Sequence, residues 1–172
     1  MSYYIIIRGP LGVGKSTIAR KLAEILKAEY ISIDGLLHKY GLDKVSEGEE
    51  CIPENNYIRA NELILPRVIR KLIRGEIVIF DGCFYHKGQI DHLVRNLPKP
   101  HYTFNLKATL RTCIERDSRR GKAFGADAAA AVYYLVSRFD YGIDIHTDDK
   151  TVGQVVEVIL THLPARPAGN AH

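Results

Sequence analysis

The stretch GPLGVGKST, Gly9 to Thr17, follows the apolar run Tyr3 to Ile7 and precedes a helix-like segment from Lys15 to Lys27. It satisfies G-x-x-x-x-G-K-[ST], the Walker A or P-loop pattern, at every fixed position and in the strand-to-helix setting that the pattern requires. Gly9, Gly12 and Gly14 let the backbone turn with its N–H groups inward, towards a helix N-terminus whose dipole favours negative charge. Lys15 is then placed to reach the β- and γ-phosphates of a nucleotide, and Ser16 to join a Mg²⁺ shell. Leu11, Val13 and Thr17 belong to the same cradle and are expected to contact the nucleotide. The rival reading, a glycine-rich turn that binds nothing, does not explain why lysine, hydroxyl and glycines coincide.

With 172 residues the chain suits one domain with a real core, and 46% hydrophobic against 26% charged residues is a globular balance. No apolar run approaches the roughly 20 residues of a membrane span, and the N-terminus enters a strand without a signal-peptide pattern. These features place the expected location in the cytoplasm, with no membrane partner. Three widely spaced cysteines, Cys51, Cys83 and Cys113, fit neither a disulfide framework nor a CxxC metal site and read as reduced structural thiols. The formal charge of +4 suits anionic ligands without the dense basic patch of a nucleic-acid binder.

Outward from the loop, short apolar strands alternate with helical stretches. Tyr30 to Ile33 reads as a second strand ending on Asp34-Gly35. A loop-rich excursion from Gly35 to Asn56 then gives way to a long helix, Tyr57 to Arg74, with Leu65, Ile69 and Leu72 on one face and Pro66 as a kink or restart. Ile77 to Phe80 is a third strand ending on Asp81-Gly82, and His86 to Asn96 a polar helix. Tyr102 to Leu106 is a fourth strand, and helical pattern resumes at Thr109. An alanine-rich helix starts near Asp127, its expected N-cap. Ile143 to His146 is a weak fifth strand and Thr151 to His162 a closing helix. The pattern predicts an α/β fold: a three-layer P-loop NTPase with a five-stranded parallel sheet flanked by helices. Residues 1–163 form its single domain, with a small lid at about 116–126, an acceptor-binding region at about 36–70, and a flexible tail over 164–172.

In an open parallel sheet, ligands bind at the carboxyl ends of the strands. Asp34 and Asp81 both sit there, so one carboxylate can hold Mg²⁺ or its waters while the other accepts a proton from an attacking hydroxyl. Their bland alternatives are helix N-capping for Asp34 and an Asp-Gly turn for Asp81. Gly82 follows Asp81, leaving no adjacent glutamate to polarise water, and no Asn-Lys-x-Asp guanine motif is present. Both absences favour transfer to a substrate over hydrolysis. Arg116, Arg119, Arg120 and Lys122 form a second cationic group between glycines, placed to close over the nucleotide and neutralise transition-state charge. A solvated helix end is the alternative.

The chain resembles the small P-loop kinases, the group of shikimate kinase, gluconate kinase, chloramphenicol phosphotransferase and polynucleotide 5′-hydroxyl kinase. GPLGVGKST, YISI ending on Asp34, VIFDG, ERDSRRGK and DIHTDDKTVGQVVEVI carry the resemblance. It implies ATP and Mg²⁺ as cofactors and Asp34 as general base and acceptor contact; the P-loop pattern and the strand-end position give Ser16 and Asp81 to the metal. It also implies Arg116, Arg119 and Arg120 on ATP phosphates, and Thr147 and Asp148 near the adenine. Two departures from shikimate kinase, Ser32-Ile-Asp34 in place of Asp-x-Asp and Asp81-Gly-Cys-Phe in place of a glycine run, argue against shikimate as acceptor.

Tyr57, Arg59, His86 and Lys87 are the polar candidates for acceptor contact. The sequence therefore predicts a phosphotransferase that moves the γ-phosphoryl of ATP·Mg to a hydroxyl of a small molecule, acting as a monomer or homodimer. A nucleotide or nucleic-acid 5′-hydroxyl kinase is the first alternative, with Arg67, Arg70, Lys71 and Arg74 tracking phosphates; nucleic acid is the less favoured partner. A nucleotide-dependent regulatory module with weak ATPase activity is the alternative of another class.

Overall fold

The structure is a computed structural model that describes residues 1–121 and 124–165. Lys122 and most of the expected tail lie outside the described residues. Five strands, β1 (Tyr4–Arg8), β2 (Glu29–Ser32), β3 (Val78–Gly82), β4 (His101–Lys107) and β5 (Ile143–His146), form one parallel sheet in the order β2-β3-β1-β4-β5. The central strand β1 is buried throughout, as its unbroken apolar run demands. Ile5 and Ile7 face one core with Ile18 and Leu22 of α1 (Lys15–Leu26) and Val155 and Ile159 of α7 (Val152–Thr161). Tyr4 and Ile6 face the other, with Ile64 and Val68 of α3 (Glu54–Ile73) and Ile90 and Leu93 of α4 (Lys87–Asn96). Period-two alternation thus builds the three layers. Two further helices, α5 (Leu110–Ser118) and α6 (Ala126–Val136), lie between β4 and β5 in the chain.

Several expected boundaries move. The second strand stops at Ser32, and a short helix α2 (Ile33–Lys39) opens the excursion, so Asp34 stands in a first helical turn rather than at a strand end. Nor is Asp34 the N-cap, because Ser32 Oγ accepts from the Gly35 N–H at 3.1 Å. Asp127 is likewise displaced as a cap: Gly125 holds that position and Asp127 lies in the first turn of α6, where its charge still suits the dipole. Helix α3 runs unbroken through Pro66. The one hydrogen bond that proline removes is outweighed by a buried stripe of Tyr57, Ala60, Ile64, Val68 and Leu72. That stripe is rotated from the expected face, leaving Leu65 and Ile69 only partly buried. Strand β3 continues to Gly82, so Asp81 is a strand residue, opposite Ile7 and Ser32.

Candidate active site

The loop between β1 and α1 has the backbone its glycines imply. Gly12 and Gly14 have φ of 79° and 98°, and a Cβ on Gly12 would collide with the Cys113 carbonyl. Gly14 caps α1 with no side-chain hydrogen bond, so the first-turn N–H groups remain for an anion. Above them lies a cavity of about 210 Å³ lined by Gly12, Gly14, Lys15, Ser16, Arg116 and Arg120, together with Thr17. A second cavity of about 300 Å³ shares Gly14, Thr17 and Arg116 with it and adds the apolar wall Val13, Ile18, Val152 and Val155 beside Thr147. The first offers cationic side chains and backbone N–H groups suited to an anion, the second an apolar wall. A larger cavity of about 410 Å³ lies between the end of β4 and α6. Its lysine, Lys107, is already paired with Asp140 at 2.8 Å and Asp144 at 2.9 Å, which makes it the poorer phosphate site.

Lys15 is buried, with Nζ donating to the Pro10 carbonyl at 3.4 Å. Burial opposes its charge, but Cys83, Asp81 and Asp34 outweigh it and the pKa rises. Burial holds the Cys83 thiol up at about 11. The thiol is therefore neutral near pH 7, and the two carboxylates supply the field that keeps Lys15 charged. Asp34 is exposed to the cleft yet has a raised pKa: desolvation by the surrounding walls leads, Lys15 opposes it, Asp81 adds to it and Arg120 opposes it. A carboxyl tuned upward beside a phosphate cradle has the property of a general base.

Asp81 is buried at 3% exposure. Its Oδ2 accepts from the Tyr30 hydroxyl at 2.6 Å, while Oδ1 has no partner among the described residues. A buried carboxylate oxygen left open within the field of Lys15 fits a site for Mg²⁺ or its waters, with Ser16 in the adjoining cavity as the other protein oxygen.

The structure divides the cationic group. Arg116 lies between the two cavities, its Nη1 donating to the Val13 carbonyl at 3.2 Å and to Thr147 Oγ1 at 2.9 Å, and its Nη2 to the Thr147 carbonyl at 2.8 Å. Arg120 lines the phosphate cavity and lies 3.6 Å from Asp117. Arg119 is the exposed C-cap of α5 and does not line that cavity. Asp148 accepts from the Thr109 N–H at 3.0 and 3.2 Å, which ties the turn after β5 to the start of α5. Hydrogen bonds from Thr112 and Thr109 lower its pKa.

On the acceptor side Tyr57 donates to the Tyr85 hydroxyl at 2.8 Å, and both rings pack against His86, with centroids 5.5 and 4.9 Å away. Burial raises the pKa of the Tyr57 hydroxyl, and Asp34 lies near enough to add to that rise. His86 Nε2 is within 2.7 Å of the Ile52 carbonyl. Arg59 is exposed on α3, and Lys87 is paired with Asp91 at 2.9 Å. On the basic face of α3, Arg67 and Lys71 pair with Glu29, and Lys71 also with Glu76 at 2.8 Å, leaving less of it for a nucleic-acid backbone.

Sequence reasoning missed four residues. Arg8, at 0% exposure, donates to the Phe84 carbonyl at 3.0 Å, Asn105 Oδ1 at 2.8 Å and the Val136 carbonyl at 2.6 Å, so it joins β1, the segment after β3, β4 and α6. Burial lowers its pKa to about 10. A charge inside an otherwise apolar strand was the available signal. Tyr30, Asp117 and Tyr85 had none, because their partners are distant in the chain or lie across the lid. The buried Asp117 accepts from the Phe124 and Gly125 N–H groups at 3.1 Å each, tying the residues that lead into α6 back to α5.

A family model described as "AAA domain" matches residues 5–129. A protein of Pyrococcus furiosus named "Putative adenylate kinase" is 28% identical over 164 residues, spanning 91% of this chain and 81% of that protein. A sugar kinase from Janibacter sp. HTCC2649 superposes with a TM-score of 0.76 at 17% identity, covering 94% of each chain. A gluconokinase from Sinorhizobium meliloti 1021 does so with a TM-score of 0.64 at 16% identity, covering 92% of this chain and 89% of that one. No helix among the described residues is long and apolar enough to cross a membrane. Phosphate cradle, sheet order and family match agree: the chain belongs to the AAA domain family and has the fold of the small P-loop kinases.

Proposed function

We propose that the protein transfers the γ-phosphoryl of ATP to a hydroxyl of a small molecule. The observation that carries this reading is that two carboxylates, Asp34 and Asp81, lie close enough to the P-loop Lys15 to act on its charge, so that a proton acceptor stands beside the phosphate cradle. The loop amides, Lys15 and Arg120 hold the β- and γ-phosphates, and the apolar cavity beside Thr147 takes the base. Ser16 and Asp81 are the residues that would hold Mg²⁺, and the ion would supply charge neutralisation beside the phosphates. The acceptor enters between Asp34 and the Tyr57–Tyr85–His86 group, and Asp34 orients its hydroxyl and takes the proton. Arg116 and Arg120 then stabilise the charge that spreads over the equatorial oxygens.

The names of the Pyrococcus relatives favour a second reading, in which the acceptor is a nucleotide phosphate. A phosphate acceptor calls for cations where this cleft presents Asp34 and Asp81. Labelled ATP incubated separately with AMP, sugars, nucleosides, hydroxylated antibiotics and 5′-hydroxyl oligonucleotides separates the two. Product with a hydroxyl acceptor and none with AMP is expected. Turnover confined to AMP replaces the hydroxyl reading, and ATP hydrolysis indifferent to every acceptor replaces both with a regulatory module.

A further inference from the structure

We propose that Tyr30 is a positioning residue for the divalent metal: its hydroxyl holds the Asp81 carboxylate in one orientation and leaves Oδ1 as the oxygen that meets the metal shell. The inference rests on the assignment of Asp81 to that shell. Strand β2 pairs with β3 so that Tyr30 lies opposite Ile79 and Ser32 opposite Asp81, which brings the Tyr30 side chain to the same sheet face as the Asp81 carboxylate. The hydroxyl donates to Oδ2 at 2.6 Å, a short O–H···O bond that fixes that oxygen. The ring is held in turn by the Arg20 guanidinium, 4.9 Å from its centroid, so the donor itself is fixed.

A carboxylate rotates through a broad torsional well unless a bond pins one oxygen. Here one oxygen is pinned and the other is buried without a partner among the described residues. A tyrosine serving only to fill the core would be matched by phenylalanine, which packs alike and lacks the hydroxyl. The tether therefore predicts that removing one oxygen atom from Tyr30 changes metal affinity without changing nucleotide affinity.

The test is a double-mutant cycle with Tyr30→Phe and Asp81→Asn in the full chain. Mn²⁺ binding to the complex with a non-hydrolysable ATP analogue is read by electron paramagnetic resonance, and analogue binding is measured separately without divalent metal. Tyr30→Phe is expected to weaken Mn²⁺ binding by about 10-fold, the low end for a group that orients a metal ligand. It should leave metal-free nucleotide binding within about twofold and add nothing on the Asp81→Asn background. Unchanged Mn²⁺ affinity in Tyr30→Phe, with Asp81→Asn weakened, overturns the inference alone. Effects that add in the double variant, or an equal loss of metal-free nucleotide binding, also overturn it. Unchanged Mn²⁺ affinity in Asp81→Asn removes the metal assignment and the inference together.

Discussion

Arg116 and Thr147 are joined twice, side chain to side chain at 2.9 Å and side chain to carbonyl at 2.8 Å, while the same guanidinium reaches the Val13 carbonyl of the P-loop. The arginine thereby fastens the phosphate loop to the turn that borders the apolar cavity. Lysine offers a point charge instead of a planar fork and cannot bridge all three acceptors. Arg116→Lys is expected to weaken ATP binding by about 10-fold, the equivalent of one charge-assisted hydrogen bond, as measured by calorimetry. An unchanged affinity would make the bridge irrelevant to the nucleotide.

Lys15 is held charged by Asp34 and Asp81, and it in turn lowers the pKa of Asp34. Lys15→Ala should reduce transfer by at least about 10²–10³-fold, the range for removing one preorganised charge donor. It should also move the acid limb of any residual activity to higher pH, since the cation that lowers the Asp34 pKa is gone. Wild-type turnover would sink the phosphate-cradle assignment.

Asp34 allows rate and stability to be separated. Its pKa is raised in the folded protein, chiefly by desolvation from the walls around this otherwise exposed side chain. The stability linked to its protonation is therefore fully present below the unfolded pKa and is lost as pH rises through the folded value. At neutral pH the ionised group disfavours the fold, so Asp34→Asn is expected to unfold at the same or a higher temperature there. Transfer should fall by about 10²–10⁴-fold, and the acid limb attributed to the base should disappear from the pH profile. Near-normal turnover in the variant transfers the base to Asp81 or dispenses with one.

Arg120 and Arg119 are neighbours with unequal positions, one lining the phosphate cavity and the other exposed outside it. Arg120→Ala should lower kcat more than it raises the ATP KM, because its charge is used most fully as the transferring group develops. Arg119→Ala should have the smaller effect on both. The reverse order would mean that lid closure exchanges the two side chains.

Arg8 makes its three hydrogen bonds at 0% exposure, its guanidinium 4.2 Å from the Phe139 ring centroid. Arg8→Ala leaves two carbonyls and the Asn105 amide oxygen buried without these donors. The expected loss is at least about 3 kcal/mol in urea unfolding, given about 1–3 kcal/mol for each unsatisfied group. A loss below about 1 kcal/mol would show that the surrounding groups find other partners.

By itself the sequence determined the phosphate cradle, the alternation of strands and helices, and the three-layer α/β class, because each is written in short-range chemistry. Glycine at Gly12 and Gly14 permits a positive φ within a few residues, and the apolar runs of β1 and β3 declare burial on both faces. Thr151, legible in the sequence only as the start of the closing helix, is its N-cap, in a capping box with Gln154 that closes inside one turn. Capping misled at Asp127, the expected N-cap, where Gly125 holds that position, and the strand-end placement of Asp34 failed because Ser32 caps a helix that takes the aspartate in. Only the tertiary structure decided which strands are neighbours, and with that the pairing of Tyr30 with Asp81, the burial of Arg8, and the separation of Arg120 from Arg119. These contacts join residues up to 128 positions apart. A pattern with a period of 2 or 3.6 states which face of an element is buried, but not which distant element covers it.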